Sequence, residues 1–447
     1  MMTLRTVLQG FYRFFFVKVL KRKRFLKYFF SESRISAFQR KWNASSQAPL
    51  FRRKLDRIWF HASSVGELES LWSLIFAASE RGSEIIVTVF SESAQSAQTR
   101  LAHLLKERHA SVLFIGYCPW EGEWRPALQA LQPTLFVTAK YEAWPELWMS
   151  LASLEIPLVM ISASARKSLS LAKRICGLLI GRLPSLFLFP CVKEEITPLH
   201  RIFPEARIEA LGEPRWDRVF ERAQVGNSRA KELKERFQFL KRPWGILGSA
   251  WIEDLEFFKP VLAEIYGTLW VIPHDVGPSN TGRIEQFLQD EKFKVIRTSS
   301  FFSSHSSASF SSDPPSKQIE DLAPSEPKRP CVLVDEMGFL LELYASADWA
   351  FVGGGFGVGL HSTIEPALYG IPVGAGPQGS TKFAEVPILT ASGQLTLLDQ
   401  REALQSWIQE IQANSPRLRE VRVQWMHEAR NRLGATRKIL GALEKLN

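Results

Sequence analysis

The chain lacks a long apolar run, has few cysteines and, over its first 57 residues, has almost no acidic side chains. Within residues 8–30 the longest apolar run is residues 14–17. A bilayer-spanning helix needs roughly 20 apolar residues, so we expect no transmembrane helix here. The run is also too short for a signal peptide, and no small-residue cleavage site follows it.

The cysteine content argues against a disulfide framework and against a zinc site. Cys118, Cys176, Cys191 and Cys331 lie far apart and form no CxxC pair. This spacing favours reduced thiols that are partly buried. Neither the cysteines nor the eight histidines show the spacing of zinc ligands, so the sequence predicts no metal site.

The basic charge of the chain is concentrated at its N-terminus. The net charge is +10, yet residues 1–57 hold 15 Lys and Arg against two acidic residues, Glu32 and Asp56. Aromatic residues beside a KRKR cluster in residues 8–30 are typical of a helix in the membrane interface. We predict that residues 1–50 form a basic amphipathic arm on an anionic membrane surface. A core helix with a solvated basic face is the alternative, and we expect no nucleic-acid partner.

The rest of the chain predicts two α/β domains, because apolar strands alternate with helical stretches at βα spacing. The first series of strands is expected at residues 57–62, 84–90, 112–115, 134–138, 158–161 and 207–211. The second series is expected at residues 245–247, 269–272, 332–334, 349–352 and 372–374. These series predict doubly wound parallel sheets.

The domain boundaries follow from these two series. We place one domain at residues 51–220, a second at 221–415 and a C-terminal helix at 416–447. Residues 298–330 are rich in Ser and Pro, a composition that predicts a disordered insertion within the second domain.

Residues 351–366, FVGGGFGVGLHSTIEP, carry the clearest functional pattern. An apolar run meets five glycines, and His361, Ser362, Thr363 and Glu365 then lead into Pro366. The pattern predicts a buried strand, a tight glycine loop and a helix N-terminus. Such a loop presents backbone N–H groups to an anion, typically a phosphate. A nucleotide-type ligand is therefore the first hypothesis for this half of the chain.

Three blocks, in this order, resemble the Kdo (3-deoxy-D-manno-octulosonate) transferases of lipopolysaccharide assembly. The first is IWFHASSVGE at residues 58–67, and the second is EAWP at 142–145, followed by IPL at 156–158. The third begins with VDEMG at 334–338 and continues through 361–366. The resemblance implies a GT-B glycosyltransferase in which two Rossmann-like domains face a central cleft. It implies transfer of Kdo from CMP-Kdo to a lipid A precursor, by a peripheral, monotopic protein at the cytoplasmic face of the inner membrane.

By the same resemblance, Glu67 is the general base that deprotonates the sugar hydroxyl of the acceptor. A carboxylate at a strand-to-helix turn suits that role, but the helix dipole alone also favours an acidic residue there. The predicted acceptor-binding residues are Ser63, Ser64, Gly66 and Glu142. Helix capping alone would explain the two serines, and Gly66 is expected to let the backbone turn sharply.

The resemblance assigns the CMP moiety to the C-terminal domain, with no metal or other cofactor. Glu365 is predicted to bond the ribose hydroxyls, and Ser362 and Thr363 the phosphate. The full predicted donor-binding set is Arg215, Ser249, Ala250, His274, Met337, Gly338, His361, Ser362, Thr363 and Glu365.

One departure from the family pattern keeps other functions open. His274 stands where the family carries an arginine, so a titratable group replaces a permanent cation. A GT-B transferase that uses another nucleotide sugar is one alternative. A catalytically silent relative that binds membrane lipid is the other.

Overall fold

The computed structural model describes residues 57–119, 123–140, 142–299, 329–414 and 416–445. The predicted membrane arm, residues 1–50, lies outside these residues, as does most of the predicted insertion. No helix within the described ranges combines the length and the apolar character that a membrane crossing requires.

The two ends of the predicted insertion are ordered, which corrects its boundaries. The Thr298 hydroxyl donates to the Asp335 carboxylate at 2.9 Å, and Arg329 begins a strand that pairs with its neighbours. The four cysteines are free thiols, as predicted, and two of them, Cys176 and Cys331, are buried.

The described residues form two units. The N-terminal unit contains the described residues up to Arg218 and those from Leu433 onward, and the C-terminal unit runs from Val219 to Arg432. The end of the chain is two helices, although the sequence predicts one. Gly434, with a φ of 91°, separates Pro416–Asn431 from Ala435–Glu444, and the second of these helices belongs to the N-terminal unit.

The N-terminal unit is built on a parallel sheet with the strand order β3-β2-β1-β4-β5-β6-β7. Its strands are β1 (Arg57–Ala62), β2 (Glu84–Val89), β3 (Val112–Tyr117), β4 (Leu135–Ala139), β5 (Leu158–Ile161), β6 (Leu186–Phe189) and β7 (Arg207–Ile208). The helices after them are α1 (Val65–Glu80), α2 (Gln95–Glu107), α3 (Trp124–Leu131), α4 (Pro145–Ser153), α5 (Lys167–Ile180), α6 (Ile196–Ile202) and α7 (Arg215–Val225).

Alternation of side chains along each strand supplies the two cores of this unit. In β1, Ile58 and Phe60 pack with α1 and α2, whereas Trp59 between them packs with α3 and α4 on the other face. Every residue of β1 is buried, as expected for a parallel strand covered by helices on both faces.

The C-terminal unit repeats this arrangement with the strand order β10-β11-β9-β8-β12-β13-β14. Its strands are β8 (Trp244–Ala250), β9 (Thr268–Pro273), β10 (Phe293–Arg297), β11 (Arg329–Leu333), β12 (Trp349–Val352), β13 (Val373–Ala375) and β14 (Leu395–Leu397). Its helices are α8 (Ser228–Phe237), α9 (Ile252–Phe258), α10 (Pro278–Asp290), α11 (Leu340–Tyr344), α12 (Ile364–Ala367), α13 (Glu385–Ala391), α14 (Arg401–Ala413) and α15 (Pro416–Asn431); the N-terminal unit's last helix is α16 (Ala435–Glu444). Short 3₁₀ turns occupy Glu92–Ala94, Lys193–Glu195, Lys259–Glu264 and Ser380–Lys382.

Close packing inside the C-terminal sheet explains its small residues. A Cβ on Gly245 of β8 would lie 1.9 Å from the ring of Trp349 on the adjacent strand β12, so only glycine fits there. Trp349 and Phe351 pack with α9 and α14, while Ala350 faces α8 and α11. The predicted class, two parallel α/β domains, is thereby confirmed.

Candidate active site

In both sheets, the strand order reverses next to the residues that the sequence singles out. In the N-terminal unit the reversal lies between β1 and β4, and in the C-terminal unit between β8 and β12. Ligands of open parallel sheets bind beyond the carboxyl ends of the strands at such a reversal. Glu67 follows β1 and Glu142 follows β4, while the glycine loop follows β12.

Glu67 lies in the first turn of α1 and is only 6% exposed. Its Oε2 accepts the N–H of Ser63 at 2.7 Å, and the Oγ of Ser64 accepts the N–H of Glu67 at 3.4 Å. Ser64 is thus the N-cap of α1, which confirms the capping role expected for it. These bonds fix the carboxylate at the carboxyl end of β1.

Gly66 does not form the sharp turn predicted for it. It lies within the first turn of α1, and its φ is not in the left-handed region. A Cβ at this position would meet the Nζ of Lys140 at 4.0 Å as its nearest neighbour. That distance places the amino group of Lys140 beside the helix start that carries Glu67.

Glu67 and Glu142 form a buried carboxyl pair. Burial raises the pKa of both, and the neighbouring charge of Glu67 helps to raise that of Glu142 to about 8. The positive charge of Lys140 and the N–H of Ser63 oppose the rise for Glu67. The indole N–H of Trp144 donates to Glu142. At neutral pH Glu142 therefore holds a proton beside Glu67, whose own pKa lies above its ordinary value.

Two residues at the same edge of the sheet hold strained backbone conformations. Lys140, directly after β4, has a φ of 65°, and Ser162, directly after β5, has a φ of 49°. Residues other than glycine adopt this region at a cost, and such strain clusters at functional sites. The N–H of Lys140 donates to Ile161 at 2.8 Å, which anchors its backbone to the neighbouring strand.

Arg215, predicted with the donor-binding residues, lies in the N-terminal unit as half of a buried ion pair with Glu213. The two residues are 4% and 5% exposed, and the Arg215 Nε lies 3.4 Å from the Glu213 Oε1. Burial alone would raise the pKa of Glu213, but the charges of Arg215 and Lys140 and the N–H of Arg215 hold it below its ordinary value. Both charged forms therefore persist in the interior.

His61, a neighbour of Glu67 in the first block, is a core residue. It is fully buried, its Nδ1 lies 3.0 Å from the Thr88 hydroxyl, and its ring contacts Trp124 edge-on. Burial lowers its pKa to about 3, so it stays neutral.

The glycine loop of the C-terminal unit is held by a buried carboxylate. Asp254, fully buried in α9, accepts the N–H groups of Trp251 and Gly354, each at 2.9 Å. Burial raises its pKa to about 6. A Cβ on Gly353 would lie 2.4 Å from the Ser249 carbonyl and 2.6 Å from Asp254 Oδ2, so the loop approaches β8 in a way that only glycine allows.

Three rings stack beside this loop. The imidazole of His274 lies 4.3 Å from that of His361, with 14° between their planes, and 5.1 Å from the ring of Trp251, with 24° between theirs. The indole N–H of Trp251 lies 3.3 Å from His361 Nε2 and donates to it. Burial and the neighbouring His274 lower the pKa of His361 to about 4, and burial lowers that of His274.

The other predicted donor residues lie at two places in the C-terminal unit. The sequence places Ser249 and Ala250 after the strand, whereas in the structure they are the last two residues of β8. Ser249 has a φ of 52°, and the pairing of β8 with β9 is irregular there. Met337 and Gly338 lie in the loop between β11 and α11, where Met337 is 71% exposed and Gly338 has a φ of 106°.

The helix after the glycine loop is shorter than the sequence suggests. It spans only Ile364–Ala367, so the helix dipole expected to hold a phosphate is small. Thr363 is fully buried, and its Oγ1 makes no hydrogen bond within the described residues. Ser362 is partly buried, and Glu365 lies 3.2 Å from the Nη1 of Arg222, an ion pair that competes with the predicted ribose contact.

Replacing Gly353 by alanine tests the packing of the loop. We expect Gly353→Ala to lower the stability of the C-terminal unit by about 1–3 kcal/mol, because the new methyl group must displace the Ser249 carbonyl and Asp254. Thermal unfolding measures the change. Gly357→Ala in the same loop is the matched control, since the nearest atom there is 3.8 Å away. Equal unfolding temperatures for the two variants would contradict the close approach.

Residues 32–217 match the family model described as 3-deoxy-D-manno-octulosonic-acid transferase (kdotransferase). The match covers the first two blocks and the carboxyl pair. The N-terminal unit is similar to the Kdo transferase family over this range. The resemblance predicted from the sequence is thereby confirmed, and with it the coarse class of glycosyltransferase.

Two curated Kdo transferases are similar over most of the chain. The 3-deoxy-D-manno-octulosonic acid transferase of Chlamydophila psittaci is 25% identical over 342 residues, which cover 73% of this chain and 71% of the relative. The enzyme of the same name from Aquifex aeolicus is 24% identical over 328 residues, covering 72% of this chain and 76% of the relative.

Solved structures share the fold. HepE of Anabaena in complex with UDP superposes with a TM-score of 0.53 at 14% identity, over 87% of this chain and 99% of that one. UDP-GlcNAc 2-epimerase of Neisseria meningitidis gives 0.53 at 12% identity, over 87% and 100%. These are two-domain proteins of GT-B type, so the predicted fold class is confirmed.

Sequence reasoning missed three residues of this candidate site. Lys140 stands directly after β4 and two residues before Glu142. Its position at the end of a strand is the sequence signal that could have identified it. Trp251 and Asp254 are brought to the glycine loop by pairing between β8 and β12. Among the described residues, no group of three or more His, Cys, Asp or Glu side chains is arranged to hold a metal ion.

Proposed function

We propose that the protein is an inverting glycosyltransferase that moves Kdo from CMP-Kdo to a lipid A precursor, at the cytoplasmic face of the inner membrane. The observation that carries the proposal is the carboxyl pair of Glu67 and Glu142 at the reversal point of the N-terminal sheet. One ionised and one protonated carboxyl group, side by side, suit removal of a proton from an alcohol.

In the proposed reaction, the ionised Glu67 takes the proton from a sugar hydroxyl of the acceptor. The hydroxyl oxygen forms a bond to the anomeric carbon of Kdo, and the bond from that carbon to the phosphate oxygen of CMP breaks. The electron pair leaves with CMP. Attack from the face opposite the leaving group inverts the anomeric configuration.

Neighbouring groups keep Glu67 ready for this step. Lys140 offsets the burial of the carboxylate, and the N–H of Ser63 holds one of its oxygens. The protonated Glu142 lies within hydrogen-bonding reach and, like Lys140 and Ser63, opposes the rise in the pKa of Glu67 that burial causes. Together these groups oppose the effect of burial and so favour the ionised carboxylate that a general base requires.

The C-terminal unit supplies the proposed donor site. In the loop at residues 353–361 most backbone N–H groups already donate to acceptors within the unit, among them those of Gly354 and His361. The proposed phosphate contact therefore rests on the Thr363 hydroxyl, which is buried and makes no hydrogen bond within the described residues. Since Trp251 donates to His361 Nε2, a proton that enters the stacked pair goes to His274. Burial lowers the pKa of His274, so in the proposed reaction the negative charge of the departing phosphate favours its protonation, and the imidazolium then takes the place of the family's arginine.

A transfer assay tests the proposal. Purified full-length protein is incubated with CMP-Kdo and a detergent-dispersed lipid A precursor, and product mass and free CMP are measured. We expect one CMP released for each Kdo added. The altered donor residues favour a second candidate, a transferase for another nucleotide sugar, so UDP-sugars form a parallel arm. Transfer from a UDP-sugar alone would replace the Kdo proposal, and no transfer from any donor would support a silent relative.

A further inference from the structure

Helix α5 carries an unusual exposed face. Leu171 and Leu178 are 57% and 66% exposed, which makes them two of the most exposed large apolar side chains of the described N-terminal unit. The opposite face is ordinary core, because Leu169, Ala172, Cys176 and Leu179 are buried. Single exposed leucines are common on protein surfaces, whereas two on one helix can form an apolar patch that marks an interaction site.

The two leucines alternate with basic residues on one stripe. At 3.6 residues per turn, Lys167, Leu171, Arg174 and Leu178 fall within about 60° of each other around the helix axis. Lys167 and Arg174 are also exposed. The leucines are two turns apart, so all four side chains point the same way along roughly 17 Å of helix.

The helix segment that carries this stripe has charge of one sign. Residues 166–182, RKSLSLAKRICGLLIGR, hold five basic side chains and no acidic one. Acidic groups border the helix at its ends: Glu195 accepts the N–H of Ala165 at 2.9 Å, Glu155 lies 4.0 Å from Arg182, and Glu205 lines a crevice beside the helix. Apolar side chains flanked by Lys and Arg on one helical face are the pattern of a helix that rests on an anionic lipid surface.

A crevice of about 560 Å³ adjoins the C-terminal half of α5. Its walls include Lys173, Gly177, Arg182, Leu183 and Phe203. The Lys173 amino group donates to the carbonyl of Ile202 and lies over the Phe203 ring. Basic groups next to apolar walls suit a lipid headgroup and the first part of its chain, which favours lipid over a protein partner.

We infer that the outer face of α5, Lys167, Leu171, Arg174 and Leu178, docks on an anionic lipid bilayer. The leucines enter the interface and the basic side chains contact lipid phosphates. Helix α5 follows β5, so its N-terminus lies at the edge of the sheet that carries Glu67 and Glu142. The inference rests on the proposed function, because a lipid-borne acceptor is what such docking would bring to that edge.

Vesicle co-sedimentation of the full-length protein tests the inference. Vesicles contain phosphatidylglycerol with phosphatidylcholine, or phosphatidylcholine alone. We expect Leu171→Ser/Leu178→Ser and Lys167→Glu/Arg174→Glu each to weaken binding to anionic vesicles at least tenfold. The predicted arm at residues 1–50 is present in every protein compared, so its contribution is common to all.

Matched controls lie in the C-terminal unit. Val225→Ser/Val423→Ser removes two apolar side chains that are 88% and 64% exposed, and Lys231→Glu/Arg417→Glu makes the same charge change. Both controls should bind within twofold of the native protein. Native-like binding by the α5 variants would overturn the inference. The inference would also be overturned if the native protein were a dimer and the leucine variant a monomer that binds vesicles as strongly as the native protein.

Transfer to a detergent-dispersed acceptor separates this inference from the proposed function. The α5 variants should retain native rates there and lose rate only with acceptor in vesicles. Absence of transfer by the native protein in detergent would refute the proposed reaction, while the vesicle comparison would still decide whether α5 docks.

Discussion

Replacing Glu67 by glutamine is expected to lower the turnover of Kdo transfer by about 10²- to 10⁴-fold, the usual contribution of a general base. Glutamine keeps the shape of the side chain and can still accept the N–H of Ser63. It cannot take a proton from an alcohol. Affinity for CMP should not change, because the proposed donor site lies in the other unit. Single-turnover transfer and calorimetric titration with CMP measure the two effects.

Glu69→Gln is the matched control for this variant. Glu69 lies two residues further along α1 and faces Arg100 at 4.0 Å with a partly exposed side chain. It should keep a native rate. If the turnover of Glu67→Gln were within a few-fold of native, Glu67 would not be the general base. Its role would then be limited to the hydrogen bonds that it makes at the start of α1.

Replacing Arg215 by methionine should destabilise the N-terminal unit by about 3–5 kcal/mol. The change leaves Glu213 charged and buried without its cation, and such uncompensated charges are among the most destabilising single changes. The pKa of Glu213 should rise, because the charge of Arg215 helps to hold it down. Chemical denaturation followed by circular dichroism measures the loss.

Two further variants show whether the loss comes from the unpaired charge. The double variant Glu213→Met/Arg215→Met removes both charges and should recover much of the stability. Arg81→Met breaks an exposed pair with Glu444 in the same unit and should cost less than about 1 kcal/mol. An Arg215→Met protein as stable as native would mean that solvent reaches Glu213.

The strand series could be predicted from the sequence because parallel strands that are buried on both faces form continuous apolar runs. β6, β10 and β14 were missed. β10 and β14 are the edge strands of the C-terminal sheet, and β10 is mostly half-buried, with Lys294 and Arg297 in its sequence. β14 has three residues, too few for a period.

The positions of Glu67 and Glu142 after two strands could also be predicted, but their contact could not. It depends on β1 pairing with β4, which the order of strands along the chain does not specify. The same holds for the stack of Trp251, His274 and His361, which joins the ends of β8, β9 and β12. Local sequence indicates which residues stand at strand ends, and long-range pairing decides which of them meet.

The C-terminal helix shows the limit of helical periodicity. Helical character continues through residues 416–445 except at Gly434, where a left-handed φ lets the chain turn. The apolar face of α16 then packs on α1 in the N-terminal unit through Ile439 and Leu443. A single glycine was the only local signal that the segment contains two helices.

The shared proton of Glu67 and Glu142 is tested most directly by the pH dependence of single-turnover transfer at saturating donor. The native rate should rise on an acid limb above pH 4.5, the ordinary value for Glu, and change again near pH 8 as Glu142 ionises. Glu142→Gln, whose amide donates to Glu67 as the protonated acid does, should stay active, keep the acid limb and lose the change near pH 8. A change near pH 8 that survives in Glu142→Gln, or a native rate without an acid limb, would contradict the shared proton.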